Sequence, residues 1–442
     1  MTLPPQLFRK LDAPAIGHAS DAPQKNLRLS TVISFVLTAL LLGGKFLFVV
    51  ALAKWTSPAT VGVYALIMTV ATLLVCLIGL ELHSYTTREI VSCDDRGEQA
   101  YHLQSHFRIV LLMYGLSLPF AFCIFIWTGI GGHFSFALFA LVLLGEALCQ
   151  ELGRYLIILS KLIASRFLQL LRSAMWMPAA VLLIAQPNTG GSSPINSVLI
   201  CWAIGTIVAA AFGLWHIRKL ISPLQPFNAG WGRQAFGITR NYFAVALLAQ
   251  AQGYADRFII QFTLGEAQVG LLSFYQSFAN TLLAFVQTGV VAFLLPRLLQ
   301  AVRQADDASA TAIRRRMWLE AIALALALSL GLIIAMPLAL DQLHRPEYAA
   351  VLPIFYALLF GNLLIIAGLV PHFQLYAERR DALLMRISVI TTLFAILGNL
   401  VAVPMFGLPG VVTVFMVTAA VQLALKVFFA RRAITEGRGV LC

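Results

Sequence analysis

Residues 29–53 read LSTVISFVLTALLLGGKFLFVVALA, residues 54–60 read KWTSPAT, and residues 61–82 read VGVYALIMTVATLLVCLIGLEL. Two apolar runs flank a short polar turn, and each run is long enough to cross ~30 Å of hydrocarbon as a helix. The first run carries Lys45 well inside, directly after Gly43 and Gly44. A cation at bilayer depth costs about 2.5–3.5 kcal/mol on insertion scales. A helix that keeps one turns it toward protein or a wet cavity, so this hairpin announces a membrane bundle with a charged interior.

The rest of the chain has the same character. Of 442 residues, 60% are hydrophobic and only 11% charged, and the mean hydropathy is +0.85. Soluble domains carry about 25% charged residues, so the expected class is an all-α polytopic membrane protein. Hydropathy places about twelve transmembrane helices, near 30–53, 62–83, 107–130, 134–159, 165–186, 195–217, 238–262, 268–295, 317–340, 350–376, 383–404 and 410–430.

Basic residues orient these spans. Only Lys54 and Arg345 fall on one side, and Lys45, Arg154, Arg172 and Arg257 fall within spans. All others of the 31 lysines and arginines lie on the opposite side, which the positive-inside rule makes cytoplasmic, with both termini there. The net charge of +12 is thus a topology signal, and no nucleic-acid partner is expected. The six cysteines show no CxxC spacing, so neither a disulfide framework nor a metal site is expected, and no cofactor.

Residues 1–28 read as a disordered cytoplasmic arm. Residues 29–217 form one six-helix bundle, 218–237 a cytoplasmic linker, 238–430 a second six-helix bundle, and 431–442 a cytoplasmic tail. Two likenesses relate the halves. Trp55-Thr56 and Val61-Gly62 open the second span as Phe262-Thr263 and Val269-Gly270 open the eighth, and the basic turn SKLIASR (160–166) recurs in position as ERRDALLMR (378–386). Paired repeats are a known transporter plan, with the substrate between them.

Charged residues inside spans are the candidate functional groups. Thr31, Ser34, Thr38 and Lys45 make one polar stripe on the first span, and Glu146, Gln150 and Arg154 one on the fourth. Glu151 stands one turn before Arg154, spaced to pair with it. The fifth span carries Gln169, Arg172 and Trp176. On the seventh, Gln250, Gly253 and Arg257 share a face, with Gln252 and Asp256 beside it. The eighth carries Gln276, Asn280 and Gln287. Stripes from both halves would line one shared aqueous cleft. Asp256 and Arg257 are adjacent and point about 100° apart, so each needs a partner on another helix. A carboxylate that takes up a proton in such a place would couple ion movement to transport, which makes Asp256 and Glu146 candidate ion-coupling residues. Glycine-rich phosphate loops, HExxH and GxSxG do not stand in a suitable context, so no catalytic residue and no enzyme activity is expected.

The segments LLLGGKFLFVVALAKWTSPATVGVYALIMTVATLL (40–74), IGLELHSYTTREIV (78–91) and GYADRFIIQFTLGEAQVGLLSFYQSFANTLLAFVQTGVVAFLLPRLL (253–299) carry a family likeness. On these the chain resembles the multidrug/oligosaccharidyl-lipid/polysaccharide exporter superfamily. Within it, the chain resembles the polysaccharide transporter branch, the Wzx-type O-antigen and exopolysaccharide flippases. The resemblance implies two six-helix bundles that open alternately to each side of a bacterial inner membrane. It implies a flippase that moves undecaprenyl-diphosphate-linked oligosaccharide from the cytoplasmic to the periplasmic leaflet. Lys45, Arg154, Arg172 and Arg257 would then bind the diphosphate, with membrane lipid around the anchor and a polysaccharide polymerase complex as a further partner. The alternatives are a drug or cation antiporter of the same superfamily and a non-transporting scaffold of polysaccharide assembly.

Overall fold

The computed structural model describes residues 24–93, 95–186, 193–221, 224–226 and 228–438. The described residues form helices and their connections, with no strand among them. In the first half these are α1 (Gln24–Trp55), α2 (Pro58–Gly79), α3 (His83–Ser92), α4 (Arg96–Trp127) and α5 (Phe136–Ile158). Then α6 (Leu162–Leu170) and α7 (Met177–Ala185) run on through a π turn at Leu171–Met175, and α8 (Pro194–Ile221) follows. The second half holds α9 (Ala229–Leu264), then α10 (Glu266–Val286) joined by a π turn at Gln287–Val291 to α11 (Ala292–Arg303), then α12 (Asp307–Leu343) and the short α13 (Pro346–Ala349). It closes with α14 (Leu352–Ala367), α15 (Leu369–Ala377), α16 (Asp381–Phe406) and α17 (Leu408–Arg438).

Ten helical stretches among the described residues are long and apolar enough to cross a membrane. The 32-residue α1 and the 36-residue α9 stand where the first and seventh spans were expected. The chain is a multi-pass membrane protein. Only 22% of the most apolar window is buried on α4 and on α12, so both offer hydrocarbon-like faces such as Leu112, Leu116, Leu330 and Ile334 to lipid.

Four boundaries differ from the sequence reading, because polar residues extend the helices beyond their apolar stretches. α1 begins at Gln24, inside the stretch read as an arm; residues 1–23 lie outside the described residues. The expected linker 218–237 shrinks to the stretch between Ile221 and Ala229, where Asn228 caps α9 by accepting the Gly230 amide at 2.8 Å. The polar stretch 84–106 is no loop. It holds α3 and the first turns of α4, which Asp95 starts by accepting the Glu98 amide at 3.0 Å. At its other end α17 continues to Arg438, past the expected end of the last span; residues 439–442 lie outside the described residues.

The helices that share the repeated opening meet each other. α2 packs along α10, and each has a glycine at the crossing. A Cβ on Gly62 would lie 1.9 Å from the Glu266 carbonyl oxygen, and one on Gly270 would lie 1.9 Å from the Pro58 carbonyl oxygen. The contact is reciprocal, and only glycine lets two backbones approach this closely. The basic turns match as well. Ser160 and Arg379 both take φ 58°, and the next amides, of Lys161 and Arg380, return to Leu156 and Leu375. Elsewhere α5 packs on α8, α14 and α16 on α17, and α9 on α16.

Candidate functional site

A cavity of about 480 Å³ opens between helices of both halves. Three cations line it: Lys45 from α1, Arg172 from the first π turn and Arg257 from α9. Glu146 of α5 is the one carboxylate in the described wall, and Tyr64, Trp176, Trp202 and Tyr254 supply aromatic faces. Lys45 is exposed toward this space and makes no hydrogen bond or ion pair among the described residues. The side chains of Thr31, Ser34 and Thr38, expected to share its stripe, lie outside the described residues.

Arg172 and Glu146 are partners across helices, although neither has one on its own. Arg172 Nε donates to Glu146 Oε2 at 2.6 Å and Nη2 approaches the same oxygen, while Trp202 Nε1 donates to Oε1 at 2.8 Å. Both carboxylate oxygens are therefore engaged by donors, as a buried charge requires. The π turn sets this up. Within it the Arg172 carbonyl also accepts Trp176 Nε1 at 3.0 Å. The Trp176 ring in turn stacks on Trp202, with centroids 5.7 Å apart and planes 13° from parallel.

A smaller chamber of about 160 Å³ adjoins the first. The two share Met68, Thr72, Glu146, Arg172 and Trp202, so the Arg172–Glu146 pair stands in the wall between them. Glu146, Gln150 and Arg154, read as one stripe, all line this chamber, with Glu81 and Gln250. Arg154 reaches Glu151 at 2.8 Å, the pairing its spacing suggested.

Asp256 and Arg257 do point apart, and they part further than one shared cleft allows. Arg257 Nη1 donates to Thr69 Oγ1 of α2 at 2.7 Å, Nη2 to Gln276 Oε1 at 3.3 Å, and the guanidinium lies 5.0 Å from the Tyr254 ring. Asp256 instead accepts Gln276 Nε2 at 3.0 Å and lines a separate cavity of about 290 Å³ among the second-half helices. The expectation that all polar stripes share a cleft is thus corrected, because a step of one residue turns Asp256 toward α16 and α17. Beside it, Asn399 Oδ1 and Thr418 Oγ1 are buried with no hydrogen-bond partner among the described residues. Asp256, Asn399 and Thr418 are oxygen donors of the kind a hard monovalent cation takes, and a proton on Asp256 is the alternative. Three expected residues stay outside these cavities: Gln169 pairs with Arg166 at 3.1 Å, Gln276 bridges Arg257 and Asp256, and Gln287 is exposed on the second π turn.

Sequence reasoning missed Trp202 and His106. Trp202 lies in an apolar run where a tryptophan gives no sign of its partner. His106 fell in the stretch read as a loop; the Asp95-x-x-Glu98 start signal could have placed it on a helix.

Nineteen solved chains share this arrangement of helices. A multidrug resistance MATE family transporter of the MOP superfamily, in its inward-facing conformation, matches with TM-score 0.71 and 11% identity over 88% of this chain and 94% of that one. The fold is that of the MOP superfamily transporters. Lipid II flippase MurJ in an inward closed conformation also matches at TM-score 0.71, with 14% identity over 91% of this chain and 87% of that one. An outward-facing MATE transporter of the MOP superfamily gives 0.60, with 13% identity over 92% and 96%. No protein-family model and no curated protein sequence matches the chain.

Proposed function

We propose that the protein is a flippase for a diphosphate-linked oligosaccharide on a polyprenyl anchor, an undecaprenyl diphosphate in a bacterial inner membrane. It serves the synthesis of O-antigen or an exopolysaccharide. The observation that carries the reading is the convergence of Lys45, Arg172 and Arg257 on one cavity whose single described carboxylate is already engaged. An anionic diphosphate would enter with a favourable field, and the aromatic faces of Trp176, Trp202 and the two tyrosines suit sugar rings. The anchor stays in lipid while the headgroup crosses. In this reading residues 29–217 and 238–430 rock against each other, and the Gly62–Gly270 contact serves as the periplasmic closure. Asp256, with Asn399 and Thr418, is the coupling-ion site in this reading. Glu146 serves as the resting counter-ion of Arg172.

A cationic drug is the poorer fit, because the wall of the main cavity offers it three cations and no free carboxylate among the described residues. The test is translocation of a labelled lipid-linked oligosaccharide by the purified protein in liposomes. Wild type should move it, and the triple variant Lys45→Leu/Arg172→Leu/Arg257→Leu should not. Equal translocation by a folded triple variant would end the proposal.

A further inference from the structure

Behind Arg154, a second polar cluster runs from the smaller chamber into the buried protein. Glu151 Oε1 accepts Arg154 Nη1 at 2.8 Å. Its other oxygen, Oε2, lies 3.5 Å from His106 Nε2, and neither atom has a hydrogen-bond partner among the described residues. Both side chains are buried, at 2% and 0% exposure. The far nitrogen of His106, Nδ1, meets two hydroxyls, Tyr155 at 2.6 Å and Thr86 at 3.0 Å. Hydroxyls donate to a bare ring nitrogen and accept from a protonated one, so this cradle suits either charge state of the imidazole.

Arg154 is the only member of the cluster that is both charged and substantially open to the chamber, with 28% of its side chain exposed. It cannot leave Glu151 without consequence. An uncompensated buried carboxylate is costly, and Glu151 cannot follow its partner outward. It is wedged against α2, where a Cβ on Gly79 would lie 3.3 Å from Glu151 Oε1.

Resting on the proposed flippase reading, with the diphosphate reaching Arg154 in the chamber that adjoins the main cavity, we propose that Glu151 and His106 together form a proton site loaded by substrate. An anion that draws the Arg154 guanidinium into the chamber leaves Glu151 without its cation. One proton from solvent then enters the Glu151–His106 pair. The proton lies between Glu151 Oε2 and His106 Nε2, while the Tyr155 and Thr86 hydroxyls serve Nδ1 in whichever tautomer results. No covalent bond changes other than the one new bond to that proton. The pair titrates jointly, with the proton shared between its members. The other groups around it fit this role. Glu81 and His83 stand at its linker-side edge, 3.4 Å apart. Burial and the Arg154 charge push the His83 imidazole down to about 4, so it is neutral at neutral pH and does not compete for the proton. Arg172 adds a more distant positive field, and α9 contributes the uncharged Trp231 ring.

The consequence is linkage. If binding takes up a proton, affinity rises as pH falls, by about tenfold per pH unit for one proton. The experiment is calorimetric titration of the purified full chain with geranylgeranyl diphosphate, between pH 7.5 and 8.5, in buffers of differing ionisation enthalpy. The slope of heat against that enthalpy counts protons. Wild type should take up about one more proton per bound diphosphate than Glu151→Gln, which subtracts any proton taken by the diphosphate itself. His106→Gln should lose the extra proton too, and diphosphate binding by each variant reports that it is folded. Should either variant fail to bind, Glu151→Asp replaces it, and its uptake should match wild type. Binding with no proton uptake, or with uptake unchanged in Glu151→Gln and His106→Gln, overturns the proton site alone. Absence of any binding by wild type overturns the diphosphate reading with it.

Discussion

Replacing Gly270 by alanine should part α2 from α10 without unfolding the protein. The added methyl would lie 1.9 Å from the Pro58 carbonyl oxygen, so the two backbones must separate by about 1.5 Å to reach ordinary contact at 3.4 Å. The obstacle is a carbonyl, not the tip of a flexible side chain, and no rotamer relieves it. Overpacking of this kind costs about 1–3 kcal/mol, and placed entirely on the α2–α10 contact it lowers the closed population about 5- to 150-fold. Spin labels on Lys54→Cys and Ala267→Cys, at exposed positions flanking the crossing, read that population as a distance distribution. The background would have Cys93, Cys123 and Cys442 replaced by serine. Gly270→Ala should transfer the main peak to longer distances, while Gly115→Ala, where no atom lies within 4 Å of the new methyl, should leave it in place. An unchanged distribution in Gly270→Ala, with an unchanged melting temperature, would show that the crossing is not held by this contact.

Other outcomes follow from the charged groups. Arg172→Leu leaves Glu146 buried with Trp202 as its remaining donor and should destabilise the protein by about 3–5 kcal/mol; adding Glu146→Gln should recover much of that, and thermal unfolding in detergent measures both. Asp256→Asn should reduce the dependence of translocation on the coupling ion while leaving binding at Lys45, Arg172 and Arg257 intact, since Asp256 lines another cavity; liposome flux under imposed ion gradients reads it. By contrast, Glu320→Ala breaks a 2.6 Å pair with Arg316 on an exposed helix face and should change stability by no more than about 1 kcal/mol, less at high salt.

Hydropathy made the spans legible because lipid asks the same of every helix: about 20 apolar residues with their backbone paired internally. The deep charges were legible for the same reason, each being an exception to that demand. Their partners were not. Spacing along one helix tells which residues share a face, and Glu146, Gln150 and Arg154 do line one chamber. It does not say that Glu146 goes to Arg172 from another helix while Arg154 stays with Glu151. The starts of α4 and α9 were misplaced because polar helical turns outside the apolar stretch look like loops to hydropathy, and only the Asp95 and Asn228 caps mark them. His106 was lost with those turns, and Asp256 was assigned to the wrong cavity because stripes were read without the helices they face.

The π turn at Leu171–Met175 has a bearing on how the cavity chemistry arose. A π turn is an α-helix with one surplus residue, and each residue advances a helix by about 100°. The α6 and α7 segments on either side are therefore keyed to their neighbours independently, and the insertion sets the compass heading of the guanidinium between them. Deleting a single residue there, Ser173 for instance, would leave both lipid-facing surfaces nearly intact while swinging either Arg172 or Trp176 away from the cavity. A gain or loss of one codon could thus rewrite the polarity of the chamber without redrawing the fold.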